Sequence, residues 1–165
     1  MGCYFKIYGG NKIMELNSKI KCALQEIDFV NRYEKIAEEY NANRTPSNNR
    51  LVHVDGEEVM ETIASLGYQP SFDAKEKFYK IKEEKNGEFT FGFHIILRDG
   101  NVDLVWIVKE NKELLLGLPW SLYSRLLINP DYKISYPVIG SYEDIDDILE
   151  KAFTMFEDFK QALRK

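Results

Sequence analysis

The sequence predicts a single α+β domain over residues 1–165, in which an antiparallel β-meander of three to four strands packs against helices. Apolar residues recur every three or four positions near both ends of the chain, whereas they alternate in its middle. The predicted helices are a long N-terminal helix, a second helix and a long C-terminal helix. A length of 165 residues is typical of one domain, and 44% hydrophobic residues supply material for a core.

The N-terminal quarter is predicted to hold a short strand and one long helix. Residues 3–8 alternate and are rich in aromatics, which is typical of a strand, and Gly9 and Gly10 follow as a turn. Asn17 or Ser18 is the expected N-cap of the long helix. Its apolar positions are Ile20, Ala23, Leu24, Ile27, Val30, Ala37 and Tyr40. Residues 41–50 are polar and are predicted to form a loop.

A second helix is predicted to begin after Asp55 and to end near Gly67. Asp55 and Glu58 have the spacing of a capping box, and glycine is the preferred residue just past a helix. The apolar face of this helix consists of Val59, Met60, Ile63 and Leu66.

The meander is predicted from alternating segments joined by tight turns at Asn86-Gly87 and at residues 99–101. The strands are residues 78–83, 89–97, 102–108 and, as a fourth, 114–116. One face of the second strand consists of Phe89, Phe91, Phe93, Ile95 and Leu97. The third strand is apolar on both faces, so we expect it to be central or covered on both sides.

The C-terminal third is predicted to hold a short helix, which residues 118–120 lead into and which runs through Leu127, and a long helix capped by Ser141. We expect the long helix to lie across one face of the meander, because its apolar stripe is long and aromatic. That stripe is Ile145, Ile148, Leu149, Ala152, Phe153, Phe156, Phe159 and Leu163.

Motifs that carry catalysis or bind cofactors are absent from the sequence. The two histidines, His53 and His94, do not stand in a metal-binding spacing, and neither a glycine-rich phosphate loop nor GxSxG occurs. Cys3 and Cys22 are expected to be buried or semi-buried reduced thiols. We therefore predict no enzyme, no cofactor and no metal. One alternative stays open, a ligand pocket between the His94 face of the meander and a helix.

Charge points to the kind of partner. The net charge of −5 disfavours direct binding to nucleic acid or to anionic membranes and suits a basic protein. No apolar run approaches the roughly 18 residues that cross a bilayer, so we expect a cytoplasmic protein with no membrane contact.

Residues 143–150, EDIDDILE, are the strongest charge feature of the chain. Acidic residues in the first turn complement the helix dipole, but this run extends a turn further. Helical spacing predicts one outward ridge of Glu143, Asp146, Asp147 and Glu150. A smaller acidic group, Glu57, Glu58 and Glu61, begins the second helix. Each group is interpreted either as a solvated face or as a docking surface for a basic partner.

Residues 117–160 contain the segments GLPW, YP, GSYED and FEDFK, and this stretch resembles small bacterial immunity proteins of polymorphic or contact-dependent growth-inhibition toxin systems. The resemblance implies a cytoplasmic inhibitor that binds a cognate toxin domain, and a basic nuclease would match the acidity. It carries over no catalytic residues. The alternatives are another protein-interaction or regulatory module of the same fold, or an enzyme or ligand binder whose site lacks a motif. The sequence does not predict the oligomeric state.

Overall fold

The computed structural model describes residues 4–6 and 13–165, and it confirms the predicted α+β class. The helices are α1 Ser18–Glu26, α2 Phe29–Glu39, α3 Gly56–Ser65, α4 Trp120–Leu127 and α5 Tyr142–Leu163, with a 3-10 turn at Ser47–Asn49. The strands are β1 Tyr4–Lys6, β2 Ile13–Glu15, β3 Pro70–Asp73, β4 Phe78–Ile81, β5 Glu84–Asn86, β6 Phe89–Arg98, β7 Asn101–Glu110 and β8 Glu113–Leu116.

The main sheet is antiparallel and has six strands. Its order is β3-β4-β6-β7-β8, and β5 pairs with β6 beyond the end of β4. The long β6–β7 hairpin is central, and Phe93 faces Trp106 across it. The predicted apolar face of β6 packs into the core, where Phe89, Phe91, Phe93 and Ile95 are buried and Leu97 is partly buried. β1 and β2 form a separate two-stranded sheet, and the predicted turn at Gly9 and Gly10 lies outside the described residues.

Two details of the meander differ from the prediction. The strand predicted over residues 78–83 ends at Ile81, and a separate β5 carries the chain into the Asn86-Gly87 turn. The edge strand β3 was not predicted, since it is short, begins with proline and lacks an apolar alternation. The third predicted strand, β7, is central, but its residues Val105 and Ile107 stay partly exposed. It is therefore not covered on both sides.

The prediction of a single long N-terminal helix is wrong, because the structure divides this segment into α1 and α2. Asp28 lies between them in the left-handed conformation, with φ of 56°, and accepts a hydrogen bond from Asn31 Nδ2 at 2.9 Å. This break lets α1 pack on α5 while Phe29, the first residue of α2, reaches the aromatic core. Asn17 caps α1, accepting from the Lys19 and Ile20 amides.

The five helices of the described residues all lie on one face of the main sheet. Phe93 on β6 stands 4.6 Å from Phe153, and Trp106 on β7 stands 4.7 Å from Phe159, measured between ring centroids. The prediction that α5 crosses one face of the meander is thereby confirmed. Trp120 of α4 adds a third large ring, 5.0 Å from Trp106. Within the described part of the chain, no helix combines the length and apolar character needed to span a membrane.

Candidate functional site

The N-terminus of α5 is held in place by a buried carboxylate. Ser141 caps the helix by accepting from the Asp144 amide at 3.2 Å. The Asp144 carboxylate accepts from the Gly140 amide at 2.8 Å and from both terminal nitrogens of Arg44. Burial by itself would raise the pKa of Asp144, but the hydrogen bonds from Arg44, Gly140 and Ser141 outweigh it and lower that pKa. Asp144 is therefore a structural member of the acidic run.

The two acidic groups predicted from the sequence lie on neighbouring helices. Thr62 of α3 donates a hydrogen bond from Oγ1 to Asp146 Oδ1 of α5 at 2.5 Å, which joins the helices at their outer sides. We define the acidic surface as the six exposed carboxylates of Glu57, Glu58, Glu61, Glu143, Asp146 and Glu150. None of the six forms an ion pair with a lysine or arginine among residues 4–6 and 13–165.

A favourable interaction with the helix dipole accounts for only three of these six carboxylates. Glu57, Glu58 and Glu143 lie in first turns, where a carboxylate interacts favourably with the helix dipole. Glu61, Asp146 and Glu150 lie further along, and the pair Asp146 and Glu150 has the i,i+4 spacing at which like charges destabilise a helix. The charge beyond the first turns therefore weakens the helices that carry it.

Asp147, the remaining predicted ridge residue, is neutralised within the chain. It accepts hydrogen bonds from Lys151 Nζ at 2.7 Å and from the Tyr40 hydroxyl. The bonds from Lys151 and Tyr40 lower the pKa of Asp147. We therefore leave Asp147 out of the acidic surface. The spacing of Asp147 and Lys151, four residues apart, is the sequence pattern that predicts this ion pair.

A groove of about 410 Å³ runs between α2 and α5 beside the acidic surface. Its floor includes Ile36 and Met155, which are buried. Its charged residues have both signs and are largely paired, as in the ion pairs Arg32–Asp158 at 2.9 Å and Lys151–Glu39 at 2.9 Å. This groove was not predicted from the sequence, because it forms only where α2, bent away from α1, lies alongside α5.

His94 lies on the opposite face of the sheet, away from all five helices. Its ring stacks on Phe78 with centroids 4.3 Å apart, and burial together with the neighbouring Lys80 lowers its pKa. The predicted alternative of a pocket between this face and a helix is wrong, because no described helix covers it. A shallow depression of about 550 Å³ lies there instead, beside Gly92.

The remaining candidate groups do not come together. Cys22 is exposed on α1, contrary to the expectation of a buried or semi-buried thiol, while Cys3 lies outside the described residues. His53 is exposed in the loop before α3. Among the residues that the structure describes, no three histidines, cysteines or carboxylates are arranged to hold a metal ion.

No protein-family model, curated protein sequence or solved structure matches this chain.

Proposed function

We propose that this chain binds a basic protein domain through the acidic surface of α3 and α5, and that the partner is a cognate bacterial toxin domain which it neutralises. The observation that carries this proposal is the presence of six exposed carboxylates on two adjacent helices, without a pairing cation among the described residues. The identification of the partner as a toxin domain rests on the resemblance of residues 117–160 to immunity proteins.

Electrostatics favours such a partner for two reasons. Unpaired carboxylates on one surface attract a basic protein over about a Debye length, roughly 8 Å at physiological ionic strength, which raises the association rate. The repulsion between Glu61, Asp146 and Glu150 and their neighbours is also relieved when a basic surface docks. Binding therefore recovers free energy that the isolated helices lose.

The acidic surface is rigid before the partner arrives. α3 is anchored by Val59 and Ile63, and α5 by ten buried residues that include Phe153, Phe156 and Phe159. Because the backbone beneath the carboxylates is packed, binding does not have to order it, which removes one of the entropic costs of association. A nuclease toxin suits this surface, because a cleft that binds nucleic-acid phosphates is basic. Docking of the nuclease here would cover that cleft, and the inhibitor would have to act in the cytoplasm, where such a toxin cleaves nucleic acid.

The proposal predicts that a gene beside this one encodes a large secreted protein with a variable C-terminal domain, and the test uses that domain. Cells that express that domain should survive only when this chain is co-expressed. The triple variants E57K/E58K/E61K and E143K/D146K/E150K should each weaken binding by about 30- to 100-fold at physiological ionic strength. The measurement is calorimetric affinity at about 0.05 M and about 0.5 M salt, where the difference from wild type should shrink as salt screens the charges.

A matched control separates the effect of charge on the acidic surface from the effect of net charge. The variant E88K/E113K/D131K makes the same change in net charge at exposed positions outside the acidic surface, and it should bind within about threefold of wild type. Failure of the chain to rescue cells would refute the toxin role. Equal loss of affinity in the control would show that net charge, and not this surface, attracts the partner. Binding of the neighbouring domain without rescue would favour another kind of interaction module.

A further inference from the structure

The face of the main sheet that carries His94 is open, since every described helix packs on the other face. We call it the open sheet face. Its apolar side chains are Phe78, Ile96, Val105, Ile107 and Leu114, and the His94 ring stacks on Phe78. Leu114 on the edge strand β8 is 59% exposed, and the others are partly exposed. A sheet with one solvated face normally alternates apolar residues inside with polar residues outside, and these five apolar positions depart from that rule.

The apolar positions are contiguous across the strands. His94 pairs directly with Val105, and Gly92 pairs with Ile107 in the β6–β7 hairpin. Gly92 lines the depression beside His94, and a Cβ atom there would stand 3.4 Å from Ile107 Cβ. Glycine in a strand interior often marks a bulge or a site where a ligand or another backbone approaches closely, and Gly92 lies opposite the break between β4 and β5. The centre of the open sheet face thus offers an apolar surface with a recess.

The charges on this face have both signs. The basic side chains are Lys80, Lys85, Arg98 and Lys109, and the acidic ones are Asp73, Glu83 and Asp103, so the two signs nearly balance. Lys109 Nζ lies 3.9 Å from Glu83 Oε2. This balance contrasts with the acidic surface, which excludes a like-charged partner. A face that docks on an identical face across a two-fold axis has to accept its own charges, and a balanced one does so.

We propose that the open sheet face binds the same face of a second copy of this chain, forming a two-fold homodimer. With the lengths of β3 to β8, a spacing of about 4.8 Å between strands and a rise of about 3.4 Å per residue, the face covers roughly 570 Å². Two such faces bury roughly 1,100 Å², just above the area of about 1,000 Å² that a specific interface needs. Two sheets packed face to face place their side chains in a layer about 10 Å thick, which the recess at Gly92 helps to fill.

An interface of this size predicts a weak dimer, with a dissociation constant on the order of 100 µM. In sedimentation equilibrium, the average mass should rise from 19.3 kDa toward twice that value as the concentration approaches about ten times this constant. The variant I107K should weaken the dimer by at least about 30-fold, because it places an ammonium group in the apolar centre. I107V, which keeps the apolar surface, should dimerise within about threefold of wild type.

The matched control is I128K, a change at a residue that is 50% exposed at the end of α4, outside the open sheet face. It should leave the dimer intact, and thermal unfolding of all three variants checks that they fold. A wild-type chain that stays at monomer mass over this range would overturn the proposal, as would a dimer that survives I107K. Loss of binding to the basic partner in I107K, with a monomeric wild type, would assign the face to that partner and overturn self-association.

Discussion

Replacement of Asp144 by alanine should destabilise the protein by about 2–3 kcal/mol. This loss is larger than expected for the acidic run of residues 143–150, whose spacing suggests surface charges. The side chain is 6% exposed and holds the Gly140 amide at the start of α5. Removing the acceptor leaves this partly buried N–H unpaired, which costs about 1–3 kcal/mol. Arg44 adds at most about 1 kcal/mol, because its side chain is 46% exposed and is rehydrated when the carboxylate is lost.

Asparagine at the same position separates the contribution of the Gly140 hydrogen bond from that of the Arg44 ion pair. In D144N the amide oxygen still accepts from the Gly140 N–H, so the loss should be about 1 kcal/mol. The exposed neighbour provides the control, since D146N removes a charge at the outer side of α5 and should change stability by less than about 0.5 kcal/mol. The assay is urea unfolding followed by tryptophan fluorescence, with the free energy of unfolding extrapolated to water.

The pH dependence follows from the lowered pKa of Asp144. A carboxyl group whose pKa is lower in the folded state stabilises the fold above its unfolded pKa of about 3.9, and it loses that contribution as the pH falls through the folded value. The difference between wild type and D144N should therefore be constant near pH 7 and shrink below about pH 4. A D144A variant as stable as D146N, or a difference that grows at low pH, would refute the structural role of this carboxylate.

Two further predictions compare matched positions. Gly100 and Gly87 both have positive φ, but a Cβ at Gly100 would stand 2.7 Å from Arg50 Cβ whereas Gly87 has open space. G87A should cost about 1 kcal/mol and G100A at least about 2 kcal/mol in the free energy of unfolding. F93A should cost about 3–5 kcal/mol, because Phe93 is fully buried among aromatic rings, while F72A at a 44% exposed site should cost about 1 kcal/mol or less. Equal losses within either pair, measured by urea unfolding, would contradict the packing described here.

The elements whose periodicity is strong were predicted from the sequence. The strand β6 alternates without interruption, and α5 repeats its apolar residues over six turns with Ser141 as cap, so both were located correctly. The division between α1 and α2 was not predicted, because Asp28 is neither glycine nor proline and the apolar spacing continues through it. Only the tertiary contacts of Phe29 with Trp120 and Tyr123 reveal why the chain bends there.

The candidate site was predictable in its composition but not in its geometry. Helical spacing placed Glu143, Asp146 and Glu150 on one outward side of α5, where the structure has them. No sequence pattern places α3 beside α5, so the adjacency of the two acidic groups needed the fold. The pairing of Arg44 with Asp144 was also not predictable from the sequence, because the two residues lie a hundred positions apart.

The acidic surface and the open sheet face lie on opposite sides of the molecule, because the helical layer and the sheet separate them. A two-fold dimer through the sheets would therefore leave both acidic surfaces exposed at its outer sides, and each could bind one basic domain. The two contacts should be energetically independent, since substitutions far apart with no shared partner add. I107K should keep wild-type affinity for the basic partner, and E143K/D146K/E150K should keep the wild-type dimer. A variant that abolishes both contacts would mean that one surface serves both, and the separation argued from the fold would be wrong.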